Sequence, residues 1–183
     1  MNPTRPKAPE ELQTVRLLLR RPHAGDATAI FERYASDAEV TRFVGWPRHR
    51  SVDNTRAFLA FSDAEWERWP AGPYLIVSRE TGVLLGGTGF GFETDSRAVT
   101  GYVLARDAWG VGYATEALTA ITEMAPGLGV ERLCAFCHPD HHASWRVLEK
   151  GGFIREGVLR AHAQFPNLNP GVQSDVLCYA RTF

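Results

Sequence analysis

The sequence predicts a single α/β domain built on one mixed β-sheet flanked by helices, in the order β-α-α-β-β-β-α-β-α-β-β. Three observations lead there. Segments with apolar residues at helical spacing alternate with short runs of strand-forming residues. No repeat, low-complexity tract or interdomain linker interrupts the chain. The length of 183 residues suits one domain, which at this size buries roughly 70 % of the surface of its unfolded chain and needs no disulfide or metal staple.

The elements follow in order. Residues 1–12, with Pro3, Pro6 and Pro9, read as a flexible lead-in, and the domain proper spans 13–183. Val15-Arg16-Leu17-Leu18-Leu19 is a short strand ended by Pro22. Asp26 caps or opens a helix through Ala35, with Ala27, Ile30, Phe31 and Tyr34 at helical spacing. After the loop Gly45-Trp46-Pro47, a second helix starts at about Ser51, carries Asn54 in its first turn, and closes before Trp69-Pro70. Tyr74 to Ser78 and Leu84 to Phe92 form a hairpin around Glu80-Thr81-Gly82, and Ala98 to Leu104 adds a third strand. Gly112 to about Met124 is helical, with Ala114, Ala117, Leu118 and Ile121 on one side. Leu133 to Cys137 is a strand, and His141 to Lys150 is a short helix stopped by Gly151-Gly152. Strands near Phe153 to Leu159 and Ser174 to Ala180 complete the sheet. Between them Ala161 to Val172 is the longest loop, placed to border a site.

Composition excludes several function classes. Hydrophobic residues make up 44 %, charged residues 22 %, and the net charge is -1, so nothing points to a polyanionic partner and nucleic acid is disfavoured. Cys134, Cys137 and Cys178 are odd in number, and Cys134-x-x-Cys137 lies in an apolar run without a second pair. Reduced thiols in a reducing compartment are expected rather than disulfides or a zinc knuckle. With no apolar leader after Arg5 and Lys7 and no long apolar run, no membrane partner is expected and the expected location is the cytoplasm. His141-His142 lacks further ligands at metal-binding spacing, so no metal is expected.

The most informative segment runs from Leu104 through Trp109-Gly110-Val111-Gly112-Tyr113-Ala114-Thr115-Glu116-Ala117-Leu118, where a strand passes through Gly-x-Gly into a helix. Glycines let the backbone approach a ligand, and the free N–H groups of the first helical turn present the positive end of the helix dipole to it, which favours phosphate. No Gly-x-x-x-x-Gly-Lys-Ser/Thr is present, which argues against a nucleotide binder of the P-loop type, and no third glycine completes a dinucleotide fingerprint. Gly-x-Gly alone would equally suit a tight structural turn. A second segment, Pro139-Asp140-His141-His142-Ala143-Ser144-Trp145-Arg146-Val147-Leu148-Glu149-Lys150-Gly151-Gly152-Phe153, opens the next helix at the end of the next strand. Two adjacent parallel strands that each feed a helix from one sheet edge form the crevice in which α/β folds bind ligands.

Together with the tail Ser174-Asp175-Val176-Leu177-Cys178-Tyr179-Ala180, these runs resemble the GNAT superfamily of N-acetyltransferases, and within it the RimJ/RimL-like branch. The resemblance covers nearly the whole chain from Val15 onward. It implies a GNAT-like sheet and acetyl-CoA as co-substrate, with Trp109, Gly110, Val111, Gly112, Tyr113, Ala114 and Thr115 around the pyrophosphate. It also implies pantetheine along Tyr102, Val103, Leu104 and Ala105, with a main-chain N–H there polarising the thioester carbonyl. His141 and Ser144 would border the cofactor. The sequence departs from the family pattern in three places: Trp109 replaces an Arg or Gln, His141 replaces an Asn, and Val99-Thr100 stands where branch members carry a Glu.

Acetyl transfer needs a neutral amine, a polarised thioester and a proton donor for the thiolate. At pH 7, deprotonating an α-amine costs about 1 kcal/mol and a lysine about 4.6 kcal/mol, so a protein N-terminus or another low-pKa amine asks less of an enzyme. Glu93 and Asp95 at the hairpin end, His138 and His162 are the candidates for general base. Ser144 resembles the family serine near the cofactor sulfur and is the candidate acid, although a helix-opening hydroxyl has the same appearance. Glu116 suits the helix dipole without a catalytic role. The resemblance makes Trp46, Trp66, Trp69 and Phe165 candidates for an acceptor wall, although aromatic residues at such spacings are more often core, and Arg48, His49 and Arg50 form a small basic cluster that suits an acidic acceptor or a solvated loop. A non-catalytic acyl-CoA-binding module is the alternative reading. The residues do not identify the acceptor, and the resemblance points to a homodimer.

Overall fold

The computed structural model describes residues 6–183. Eight strands form one sheet in the order β1-β2-β3-β4-β5-β6-β8-β7, with β1 Glu11–Gln13, β2 Leu17–Arg20, β3 Pro73–Ser78, β4 Leu84–Phe92, β5 Arg97–Leu104, β6 Arg132–Cys137, β7 Ile154–Gln164 and β8 Gln173–Thr182. Four helices flank it: α1 Ala27–Ile30, which widens into a π-type turn through Ala35, α2 Val52–Arg68, α3 Tyr113–Met124 and α4 His142–Lys150. The predicted single-domain α/β class is therefore observed, with the mixed sheet and its flanking helices.

Alternation in the strands separates two layers of core. Leu17, Leu19, Tyr74, Ile76 and Leu104 join Ala117, Leu118, Ile121 and Leu148 on the α3 and α4 face. Leu75 and Val77 join Ile30, Tyr34 and Leu59 on the opposite face, with Leu18 and Val103 packed against them. The α2 start is fixed by Asn54, whose Oδ1 accepts the N–H groups of Arg50 at 2.9 Å and Ser51 at 3.3 Å.

Two boundaries differ from the sequence reading. The lead-in expected over 1–12 includes the first two residues of β1 and the buried Ala8, whose N–H donates to the Pro70 carbonyl at 2.8 Å; residues 1–5 of that expectation lie outside the described residues. The loop expected from Ala161 to Val172 starts only at Phe165, because β7 continues to Gln164 through a register shift between Leu159 and Ala163, with Ala161 at φ 46°. Most of β7 is exposed on both faces, so it lacks the apolar alternation by which a strand is recognised.

The feature that positions the site is a parting in the sheet. The parallel strands β5 and β6 pair only at Arg97 with Arg132, Ala98 with Leu133 and Val99 with Cys134. Beyond that point β5 stays paired with β4 as far as Leu104, while β6 stays paired with β8 as far as Cys137. A cleft therefore opens between the C-terminal halves of β5 and β6. Cys134, Cys137 and Cys178 are buried and unpaired. Among the described residues, no helix is long and apolar enough to cross a membrane.

Candidate active site at the parting of two strands

Backbone parity decides which groups of β5 face the cleft. The Ala105 N–H donates to the Leu85 carbonyl on the β4 side at 2.8 Å, whereas the Ser96 carbonyl accepts from Glu131 and Arg132 on the β6 side. Antiparallel alternation then turns the N–H and C=O of Val103 toward β4, and those of Tyr102 and the N–H of Leu104 toward the cleft. The Leu104 carbonyl is already occupied by the indole N–H of Trp109 at 2.8 Å. The strand edge predicted over Tyr102, Val103, Leu104 and Ala105 is thus narrowed: Val103 and Ala105 are committed elsewhere, and Tyr102 and Leu104 carry the available amides.

The Gly-x-Gly turn lies where β5 ends. Gly110 and Gly112 have φ of 78° and 88°, a region costly for any side chain, and a Cβ on Gly110 would meet nothing within 4 Å. Gly112 caps α3, and the first helical bond runs from Glu116 N–H to the Gly112 carbonyl. Tyr113, Ala114 and Thr115 consequently have N–H groups without intrahelical acceptors. The turn is braced from behind. Arg16 donates through Nε to Glu116 at 2.7 Å and through Nη1 to the Val111 carbonyl at 2.9 Å, and its guanidinium lies 4.6 Å from the Tyr113 ring centre. Glu116 also accepts from Thr14 Oγ1 at 2.6 Å and the Arg16 N–H at 2.8 Å. Burial raises its carboxyl, but these bonds outweigh that and hold it below the usual carboxylate range. Glu116 is a structural brace, and Trp109 is a clip on β5.

Across the cleft, Tyr102 Oη donates to the Ser144 carbonyl at 2.7 Å and lies 3.1 Å from Ser144 Oγ. One bridge thus ties β5 to the first turn of α4. Burial pushes the Tyr102 phenol above its ordinary range, so it stays protonated. Cys137, at the end of β6, is likewise buried, with its thiol pushed up to about 11.

Beside α4 stands an aromatic and histidine cluster. His141, immediately before the helix, stacks on Phe43 at 4.8 Å between ring centres; His138 lies 5.2 Å from Phe43 and meets Phe165 edge-on at 5.0 Å. Burial, followed by the charges of His138 and His142, lowers the His141 pKa, so its imidazole is neutral and able to accept a proton. His138 is less suited to that task, because its Nδ1 already accepts the Asp140 N–H at 3.2 Å. In the neutral ring Nε2 then carries the hydrogen.

Other predicted residues fall outside the cleft. Glu93 and Asp95 belong to the turn between β4 and β5, where β5 and β6 are still paired. Glu93 follows the end of β4, five residues past Thr88, the partner of Tyr102, a span of about 17 Å of extended chain. The expectation that either carboxylate serves as base is corrected on that ground. Trp66 is core: it is 2 % exposed, donates to the Pro73 carbonyl at 2.9 Å and meets Tyr74 edge-on. Trp69 stacks on Phe92. Trp46 packs on the core of the α1–α2 face and against His49, so Phe165, set against His138, is the member of the predicted wall that stands beside the cleft. His162 is on β7 against Phe136, and His49 pairs with Thr55 Oγ1 at 2.8 Å. Phe43, Asn167 and the Arg16–Glu116 brace were missed by sequence reasoning. Arg16 and Glu116 are separated by 100 residues, and no local pattern joins such partners.

The arrangement fits a phosphate-bearing thioester of the acetyl-CoA kind: open glycine positions and free helix-start amides at one end, free strand amides along the middle, and Ser144 with Tyr102 opposite. Among the described residues, no three His, Cys, Asp or Glu side chains converge as a metal site would require.

Comparison with known proteins agrees. The chain is 33 % identical over 154 residues to "Uncharacterized N-acetyltransferase YoaA" of Bacillus subtilis (strain 168), covering 82 % of this chain and 86 % of that one. Its fold is that of the Microcin C7 self-immunity acetyltransferase MccE, solved in complex with acetyl-CoA and AMP, with TM-score 0.84, 21 % identity and coverage of 96 % and 98 %. It is also that of RimL, the ribosomal L7/L12 alpha-N-protein acetyltransferase solved with coenzyme A, with TM-score 0.83, 24 % identity and coverage of 95 % and 98 %. Since the acetyltransferase (GNAT) domain model matches residues 16–154, the chain belongs to the GNAT family of acetyltransferases.

Proposed function

We propose that this enzyme passes the acetyl group of acetyl-CoA directly to a primary amine, either a protein N-terminal α-amine or the amine of a small molecule. The parting of β5 and β6 carries the reading, because it joins the Gly110–Gly112 turn, the free amides of Tyr102 and Leu104, and the Tyr102–Ser144 bridge in one cleft. Acetyl-CoA would supply an activated thioester whose leaving group is the coenzyme A thiol. Tyr113, Ala114 and Thr115 donate to the pyrophosphate, and the Tyr102 or Leu104 N–H polarises the acetyl carbonyl. Ser144 Oγ relays a proton from solvent to the departing thiolate, so the serine ends neutral, with Tyr102 holding it in place. His141, neutral and half-buried, takes the proton of the attacking amine. An α-amine is the easier acceptor, for the protonation cost given above. MccE, solved with acetyl-CoA, supports a thioester in this fold, RimL, solved with coenzyme A, supports the same carrier, and the RimL comparison favours the RimJ/RimL-like branch.

Initial rates measured against both substrates test direct transfer. Intersecting double-reciprocal lines and no acetylated protein are expected. Parallel lines, with acetyl recovered on a side chain such as Cys137, would replace this scheme with a two-step one.

A further inference from the structure

We propose that Asn167 is a positioning residue that latches the α1–α2 connection over the acceptor side of the cleft and thereby sets the affinity for the amine. The inference rests on the transferase reading above and identifies what holds the acceptor wall. Asn167 uses its whole amide. Oδ1 accepts the Arg48 N–H at 2.7 Å, and Nδ2 donates to the Thr41 carbonyl at 2.7 Å and the Trp46 carbonyl at 2.9 Å. These contacts join segments 119 to 126 residues apart.

The ends of the connection have their own anchors. Asp37 and Glu39 pair with Arg106, and the His49 N–H donates to the Ala35 carbonyl at 3.0 Å. Its middle, residues 41–48, carries Phe43 and Trp46, and this is the stretch that Asn167 grips. Phe43 stacks on His141 and borders His138; Phe165, two residues before Asn167, packs edge-on against the same His138. The latch therefore fixes the ring that covers the proposed proton acceptor. The pattern of one acceptor and two donors suits asparagine. Aspartate would turn a carboxylate onto two carbonyl oxygens, and glutamine would carry the amide one methylene too far.

The test compares Asn167→Ala and Asn167→Gln with Asn169→Ala, an exposed change in the same loop. It uses steady-state kinetics with a small amine found to turn over, and limited trypsin digestion mapped by mass spectrometry. Both Asn167 variants are expected to raise the KM for the amine about tenfold, the size expected from losing one to two net hydrogen bonds, while the KM for acetyl-CoA stays within about twofold. Cleavage after Arg48 should accelerate in both, and Asn169→Ala should match the parent in every readout. An unchanged amine KM with unchanged cleavage overturns the latch, as does an equal rise in both KM values. If the parent protein turns over no amine, the transferase reading fails, while cleavage at Arg48 still judges the latch.

Discussion

Ser144 Oγ and Tyr102 Oη lie 3.1 Å apart, yet the two hydroxyls have different duties, and single substitutions separate them. Ser144→Ala removes the proton donor while leaving the pyrophosphate turn and β5 amides in place. The expected result is a fall in kcat of about a hundredfold with the acetyl-CoA KM nearly unchanged, read by steady-state kinetics. Tyr102→Phe removes the bond to the Ser144 carbonyl, so it should cost about 1 kcal/mol of stability in a denaturant titration and weaken kcat and acetyl-CoA affinity together. His141 has a pH signature. Its pKa is lowered, so the imidazole loses its proton below the ordinary value of about 6.5, and kcat/KM should rise with pH along a limb with a midpoint under that value. The amine adds its own limb at higher pH. His141→Ala should keep the amine limb and lose the lower one; a pH profile of the same shape as the parent's would remove His141 from the mechanism.

At the scale of elements, the turn between β5 and α3 and its brace carry the cofactor end. Gly110→Ala and Gly112→Ala each force a side chain into the left-handed region, at about 1–2 kcal/mol, and should weaken acetyl-CoA binding measured by calorimetry. Glu116→Ala takes the acceptor from Thr14 Oγ1 and from the Arg16 N–H and Nε, and should cost about 2 kcal/mol in a denaturant titration. This end of the site was legible in the sequence because its information is local: a strand, Gly110-x-Gly112 and a helix with Ala117, Leu118 and Ile121 follow one another. The acceptor side was not. Phe43 and Asn167 meet through loops far apart in the chain, and nothing near either residue marks the contact. Glu93 looked suitable because it follows a strand of the site, but proximity along a strand does not say which end of the sheet holds the cleft. β1 escaped notice because it has three residues and follows a proline-rich stretch, and Trp66 stayed open between wall and core because helical spacing does not distinguish a buried stripe from an exposed one.

On the scale of the whole molecule, one sheet serves two ends. Its closed part, where β5 and β6 pair, is covered by core that includes Trp69 on Phe92, and the open part holds the chemistry. The division predicts that Trp66→Ala lowers stability by about 3–5 kcal/mol while leaving the amine KM of the folded enzyme unchanged, whereas Phe43→Ala, which uncovers His141, raises that KM at a smaller cost in stability. The central claim is that the open part transfers acetyl to an amine. Thiol release from acetyl-CoA at about pH 8, where a large share of an α-amine is neutral, followed alongside mass-spectrometric detection of product, tests it most directly across peptides and small amines. The account predicts thiol release that depends on the amine and matches the acetylated product one for one; tight acetyl-CoA binding without release for any amine would contradict it.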